Sequence, residues 1–303
     1  MRERVISGVV IALIVVLCGL VGKGYLLGAA MAVCGSIGFW ELCKTCGVLT
    51  PKADGTIPPE GSADTKTQKS NSLVVLGILL TAVYYAGLLL IQYLNAQDQK
   101  TMFHHADLLM LVMMSMGLIS FMAVYVLTFP KYNSDRVMAA YFSFIYAPVM
   151  LSFVYRARLL PYGIFVYILI FLCSSVCDVC ALAAGMAFGR HKMAPILSPK
   201  KTIEGAVGGV IGSMVSCAVV ALIVQHFDKG AKLVVPFMIL GFVGALVSML
   251  GDLAASAIKR DHNIKDYGNL IPGHGGIMDR LDSTIFAAPL IYFTGVLLLG
   301  TAV

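Results

Sequence analysis

The chain has 303 residues, 59% of them hydrophobic and 13% charged, with a formal net charge of +6 and a mean hydropathy of +0.87. Soluble domains carry about 25% charged residues, and no soluble core of this length hides so much apolar surface. A soluble enzyme or binding module is excluded, and a polytopic membrane protein is implied. In lipid only helices and closed barrels satisfy the backbone, and the long, unalternating apolar runs select helices, so the expected fold is an all-α transmembrane bundle.

The first run, 5–21, follows Arg2 and Arg4 and is not followed by a small-x-small cleavage site, which predicts a retained anchor instead of a removable signal. Val16 and Leu17 stand ahead of Cys18 where a lipoprotein site needs small residues. Further runs lie at 25–43, 73–94, 106–129, 137–155, 161–186, 203–227, 233–257 and 282–301. The total is about nine spans of roughly twenty residues. Pro148 interrupts the fifth, making it the weakest. Trp40, Glu41 and Lys44 read as an interfacial anchor group, and the stretch 44–72, rich in Pro, Gly, Ser, Thr and Lys, reads as a mobile loop.

A single membrane domain, 1–303, is expected: N-terminal spans over 1–160, then C-terminal spans over 161–303 whose loops 187–202 and 258–281 hold the informative residues. A cytosolic N-terminus puts 16 of the 22 basic residues on the cytosolic side, as the positive-inside rule requires. Arg156 and Arg158 contradict it locally. Cysteines in or beside spans predict packing thiols, with Cys173, Cys177 and Cys180 on one helical stripe and a metal site as the alternative. Gly208 and Gly212, and then Gly241 and Gly244, have the spacing of close helix packing.

Charge concentrates in KRDHNIKDYGNLIPGHGGIMDRLDS, 259–283, which holds eight of the chain's 38 charged residues. Three segments bear on its purpose. In CDVCALAAGMAFGRHK, Asp178 lies within a span, where a carboxylate is expensive without a partner; it is either a packing hydrogen-bond group or a functional one. In LSPKKTIEGAVGG, Ser198 reads as an N-cap and Pro199 as the first helical residue. That helix start, with Lys200 and Lys201, suggests a phosphate cradle; a plain basic flank is the alternative. In GDLAASAIKR, Asp252, Ser256 and Lys259 share one helix face. The glycines of Ile271-Pro272-Gly273-His274-Gly275-Gly276 allow a main-chain approach to a ligand. Asp279 and Asp282 follow on one face, with Arg280 turned away. Carboxylates, lysines and a glycine turn at a lipid interface argue for magnesium-assisted phosphate chemistry.

The run S-x-I-K-R, four residues, K-D, then G-x-x-I-P-x-H-G-G-I-x-D-R-L-D, Ser256 to Asp282, resembles the signature of the phosphatidate cytidylyltransferases, or CDP-diacylglycerol synthases. The S-P-K-K-T-x-E-G block, Ser198 to Gly205, and the D-x-x-A…F-G-R-H-K block extend the likeness over about 170–290. The family usually has Glu at the place of Ala255, and Gly at the places of Cys180 and Asn263. The resemblance implies an enzyme that condenses CTP with phosphatidic acid to CDP-diacylglycerol and pyrophosphate. It implies Asp252 and Asp279 as ligands of a catalytic Mg2+, with Asp282 and Asp266 completing or orienting its shell. A monovalent cation is a further candidate beside the magnesium. Lys200, Lys201, Lys259, Arg260, Lys265 and Arg280 would meet the triphosphate and lipid phosphate. Ser198, Thr202, Asp178 and Ser256 would line the substrate site, and His274, Gly275 and Gly276 would shape the turn. The expected partners are CTP, phosphatidic acid, membrane lipids and a second copy in a homodimer, with no nucleic acid. The expected location is a bacterial cytoplasmic membrane, active site toward the cytosol. A CTP-dependent polyprenol kinase and a transporter with Asp178 and Asp252 as coupling sites are the rival readings.

Overall fold

The computed structural model describes residues 17–49, 71–95, 98–230, 232–268, 270 and 275–300. Among these, eight helices are long and apolar enough to cross a membrane. The protein is an integral membrane protein built of helices. Most of the expected first span and most of the 44–72 loop lie outside the described residues.

The helices are α1 (Tyr25–Thr45), α2 (Ser72–Leu94), α3 (Gln99–Thr128), α4 (Ser134–Phe144), α5 (Met150–Arg158), α6 (Gly163–Phe188), α7 (Ile203–Phe227), α8 (Val234–Asp261) and α9 (Met278–Leu299). Short strands β1 (Lys192–Ala194) and β2 (Ser198–Thr202) form an antiparallel hairpin between α6 and α7. The described residues sort into two compact units, one formed by those within 1–28, 150–265 and 279–303, the other by those within 29–149 and 266–278.

Helix ends follow local chemistry. The break expected ahead of 25 is a 3-10 turn, Val21–Gly24, with Gly22 and Lys23 at φ 71° and 54°. α3 starts at Gln99, ahead of the apolar run, because Asp98 caps it by accepting from the Thr101 N–H at 3.3 Å.

In the second unit, Pro148 does not end the fifth span. Ser134–Arg158 continues as one span through a π turn at Ile145–Val149, which takes up the missing proline N–H. Tyr85 donates its hydroxyl to the Pro148 carbonyl at 3.0 Å. Gly35 leaves the room, since a Cβ there would lie 3.0 Å from Pro148 Cα.

In the first unit, α7 packs against both α6 and α8. The small-residue spacing read from the sequence marks these seams. A Cβ on Gly208 would overlap Ala184, one on Gly212 would overlap Cys180, and one on Gly241 would come within 3.0 Å of the Ser213 carbonyl. Arg156 and Arg158 are not loop charges at all. Arg156 is 1% exposed. Its guanidinium lies 4.8 Å and 4.5 Å from the Phe153 and Tyr292 ring centres and donates to the Tyr292 hydroxyl at 3.0 Å. Arg158 donates to the Gly19 carbonyl at 2.8 Å.

The expected start of the seventh span needs correction. Ser198 is not an N-cap and Pro199 is not helical: both lie on β2, and the cap is Thr202, whose hydroxyl accepts from the Gly205 N–H at 3.1 Å. Ser-Pro suits a helix start, but proline's fixed φ and missing donor also suit an edge strand. Here the hairpin wins.

Candidate active site

The hairpin and three helices of the first unit bring most of the expected site residues together. β2 presents Ser198, Lys200 and Lys201 to a cavity of about 520 Å³, which Asp178 enters from α6. Lys192, from β1, lines the same cavity, as do the apolar side chains of Leu182, Met186 and Met249. Basic groups therefore meet hydrocarbon in one recess. Glu204, in the first turn of α7, fixes the hairpin's base. Its carboxylate accepts from the Arg190 N–H at 3.1 Å, the His191 N–H at 3.2 Å and the His191 ring at 2.6 Å.

Beside this recess lie two lysine–carboxylate pairs. Lys201 donates to Asp252 on α8, a pair whose side chains are 26% and 29% exposed. Lys259, two turns further along α8, donates to Asp279 in the first turn of α9 at 2.9 Å; these side chains are 15% and 5% exposed. The shared face read for Asp252, Ser256 and Lys259 thus has carboxylate partners at both ends, with Ser256 half-buried between. α8 and α9 come close at Gly251, where a Cβ would lie 2.8 Å from the Asp282 carbonyl. Asp282 is within electrostatic reach of Asp252, Lys259 and Asp178, and Asp178 of Asp252 and Lys201. The Asp282 Oδ1 accepts from the Ser283 N–H at 2.7 Å.

Thr202 lines the same cavity while its hydroxyl serves the cap. The other expected residues are placed differently. Arg260 and Arg280 are exposed on their helices, and Lys265 and Asp266 are exposed after α8. Gly275 takes φ 83°, the left-handed conformation foreseen for the turn. Gly276 is buried against the carboxylate of Glu41. His274 lies outside the described residues. Among those described, no three His, Cys, Asp or Glu side chains converge as a ready-made metal cluster.

The match to known proteins covers nearly the whole chain: residues 2–298 fit the cytidylyltransferase family. The chain belongs to that family. It is 44% identical over 139 residues to a phosphatidate cytidylyltransferase of Synechocystis, 46% of each chain. A protein of the same name from Haemophilus influenzae is 34% identical over 182 residues, 55% of this chain and 62% of that one. One from Staphylococcus haemolyticus is 31% identical over 207 residues, 68% of this chain and 76% of that one. The chain thus spans about half the length of the first two relatives, 46% and 62%.

The three departures have local settings. Cys180 fills the space left by Gly212 on the facing helix. Asn263 takes φ 54° and closes α8: its N–H bonds the Arg260 carbonyl at 3.1 Å and the Ile264 N–H the Lys259 carbonyl at 2.9 Å. That is a Schellman cap, in which Asn serves where Gly is commoner. Ala255 is fully buried, and its methyl group supplies no carboxylate to the site.

The sequence reading missed Lys192, which the F-G-R-H-K block contained, and Glu204. It also misplaced Glu41, which is 1% exposed and no interfacial anchor. A lone carboxylate inside an apolar span was the available signal.

Proposed function

We propose that this chain is a phosphatidate cytidylyltransferase, condensing CTP with phosphatidic acid to CDP-diacylglycerol and pyrophosphate. The observation that carries the reading is the recess in which Lys192, Lys200 and Lys201 face apolar helix surface beside Asp178 and Asp252. An acidic lipid needs that combination: hydrocarbon against the helices, phosphate against the lysines. The relatives named above bear the name of this activity.

The lipid phosphate is already an anion, so its oxygen attacks the α-phosphorus of CTP without a strong base. A new P–O bond forms as the bond from the α-phosphorus to the bridging oxygen breaks, and pyrophosphate leaves with that electron pair. The barrier lies in bringing two anions together and spreading their charge. Lys200 and Lys201 bind and orient phosphate oxygens. Lys259 exchanges its bond to Asp279 for one to the triphosphate, which frees that carboxylate.

The donor chemistry fits magnesium, which takes one or two protein carboxylates plus substrate phosphates and needs no all-protein cage. Asp252 and Asp279 would hold it, with Asp282 orienting them. When bound, the ion neutralises charge on the transferring phosphoryl group. The positive-inside count supports a site on the cytosolic side, and the bacterial relatives support a bacterial cytoplasmic membrane.

The test is purified protein with phosphatidic acid, magnesium and CTP labelled in the α- or γ-phosphate. The expected result is α label in lipid and γ label in pyrophosphate. Entry of γ label into lipid, with a polyprenol tried as acceptor too, would make it a kinase; no CTP consumption by folded protein would send the question to transport.

A further inference from the structure

The N-terminal half showed no chemistry in its sequence, yet one of its side chains reaches the signature. We propose that Glu41 is a positioning residue, holding the main chain of the glycine turn that leads into Asp279. The proposal rests on the functional reading above.

Glu41 is 1% exposed and its neighbours Leu42 and Cys43 are fully buried. A carboxylate in such a place is costly unless hydrogen-bonded. It accepts from two successive backbone donors: the Ile277 N–H at 3.1 Å through Oε1 and the Met278 N–H at 2.8 Å through Oε2. Met278 is the first residue of α9. The opening N–H groups of a helix have no partner within it, and a negative charge there is favourable. Glu41 therefore caps α9 from more than 230 residues away in sequence.

The glycines are shaped to this contact. A Cβ on either Gly268 or Gly276 would run into the Glu41 carboxylate, at 2.6 Å from Gly268. One turn earlier on α1, Gly38 makes room for Met278, whose Sδ would lie 3.2 Å from a Cβ there. The two glycines of the His-Gly-Gly turn thus have different duties. Gly275 supplies the left-handed backbone, while Gly276 lets the chain close on a protein carboxylate. The next residue after the doubly held pair is Asp279, the carboxylate that Lys259 engages. Two charge-assisted bonds set the backbone ahead of it.

The test is a double-mutant cycle in the full chain, reading α-label transfer to lipid and amide hydrogen exchange of residues 275–280. Glu41→Ala should speed exchange there by about 10- to 100-fold, the worth of one bond to a charged acceptor. Exchange in α6 and α7 should be unchanged. Glu41→Gln, isosteric but with one acceptor fewer, should give an intermediate rate and an intermediate turnover. Gly276→Ala should cost turnover in the wild-type background and nothing further in Glu41→Ala, where the carboxylate it strikes is gone. Full rescue by Gln would make Glu41 a space-filler and overturn the proposal. So would losses that multiply in the double variant, because Gly276 would then serve a ligand. Wild-type protein that transfers no label overturns the functional reading alone, since the exchange rates still decide the anchor.

Discussion

The first unit contains two ways of keeping positive charge away from open solvent. Arg156 is closed off: two aromatic faces, a tyrosine hydroxyl and 1% exposure. Lys201 and Lys259 are held instead by carboxylates, and the Lys201–Asp252 pair stays over a quarter exposed beside a cavity. A cation enclosed by aromatic rings has nothing to exchange, so its contribution is to the fold. A cation paired with a carboxylate next to open space can trade that partner for a phosphate, and the carboxylate for a metal ion. Burial alone does not separate structural from functional charge; the exchangeability of the partner does.

Four substitutions test that distinction. The largest effect is expected from Asp279→Asn, which should lower α-label transfer by about 1,000-fold, in the range for removing one group that stabilises a transferring charge. The protein should still insert and elute as a folded species, and near-normal turnover would remove Asp279 from the metal set. Lys201→Met should follow with a loss of about 100-fold in kcat/KM for CTP; a value within threefold of wild type would place the recess outside the reaction. Arg156→Met belongs to the other class. Thermal unfolding in detergent should report a loss of about 2–3 kcal/mol, from cation–π contacts and one hydrogen bond. KM for CTP should not move, and a shifted KM would make Arg156 part of the site. Asn263→Gly should change stability by no more than about 0.5 kcal/mol, with turnover retained. A large loss would mean that the Asn side chain does more than tolerate the left-handed backbone.

The helices were legible because hydrophobic length is what a membrane selects. The seventh span was read as 203–227, which is its observed extent. Errors arose where polar residues continue a helix, as at Gln99, or where one dipeptide suits two structures, as at Ser198-Pro199. Within the site, Asp252 and Lys259 on one helix and Asp279 on the next were legible because spacing along a helix survives folding. The pairing of Lys201 with Asp252 was not, since it joins residues 51 apart across a hairpin that no periodicity announces. Glu41 was harder still: its meaning depends on two backbone N–H groups, which every sequence has and none displays. The opposed arginines misled for a related reason. Loop-charge counting assumes that a flanking arginine meets solvent or lipid headgroups, and Arg156 meets two rings instead.

The glycine seam between α6 and α7 has a bearing on motion. Beyond Gly208 and Gly212, a Cβ on Gly205 would stand 2.7 Å from the Ala181 carbonyl and one on Gly209 2.8 Å from that of Cys177. Two backbones in such contact leave little room to slide, since Ala206 and Val210, which lie between these glycines, are packed against Cys177, Ala245 and Met249. Asp178 and the entrance to α7 consequently share a single rigid frame. Any bulk added at one of these four positions acts as a wedge with a long lever arm, opening a gap at the seam and swinging the hairpin lysines away from the carboxylates they face.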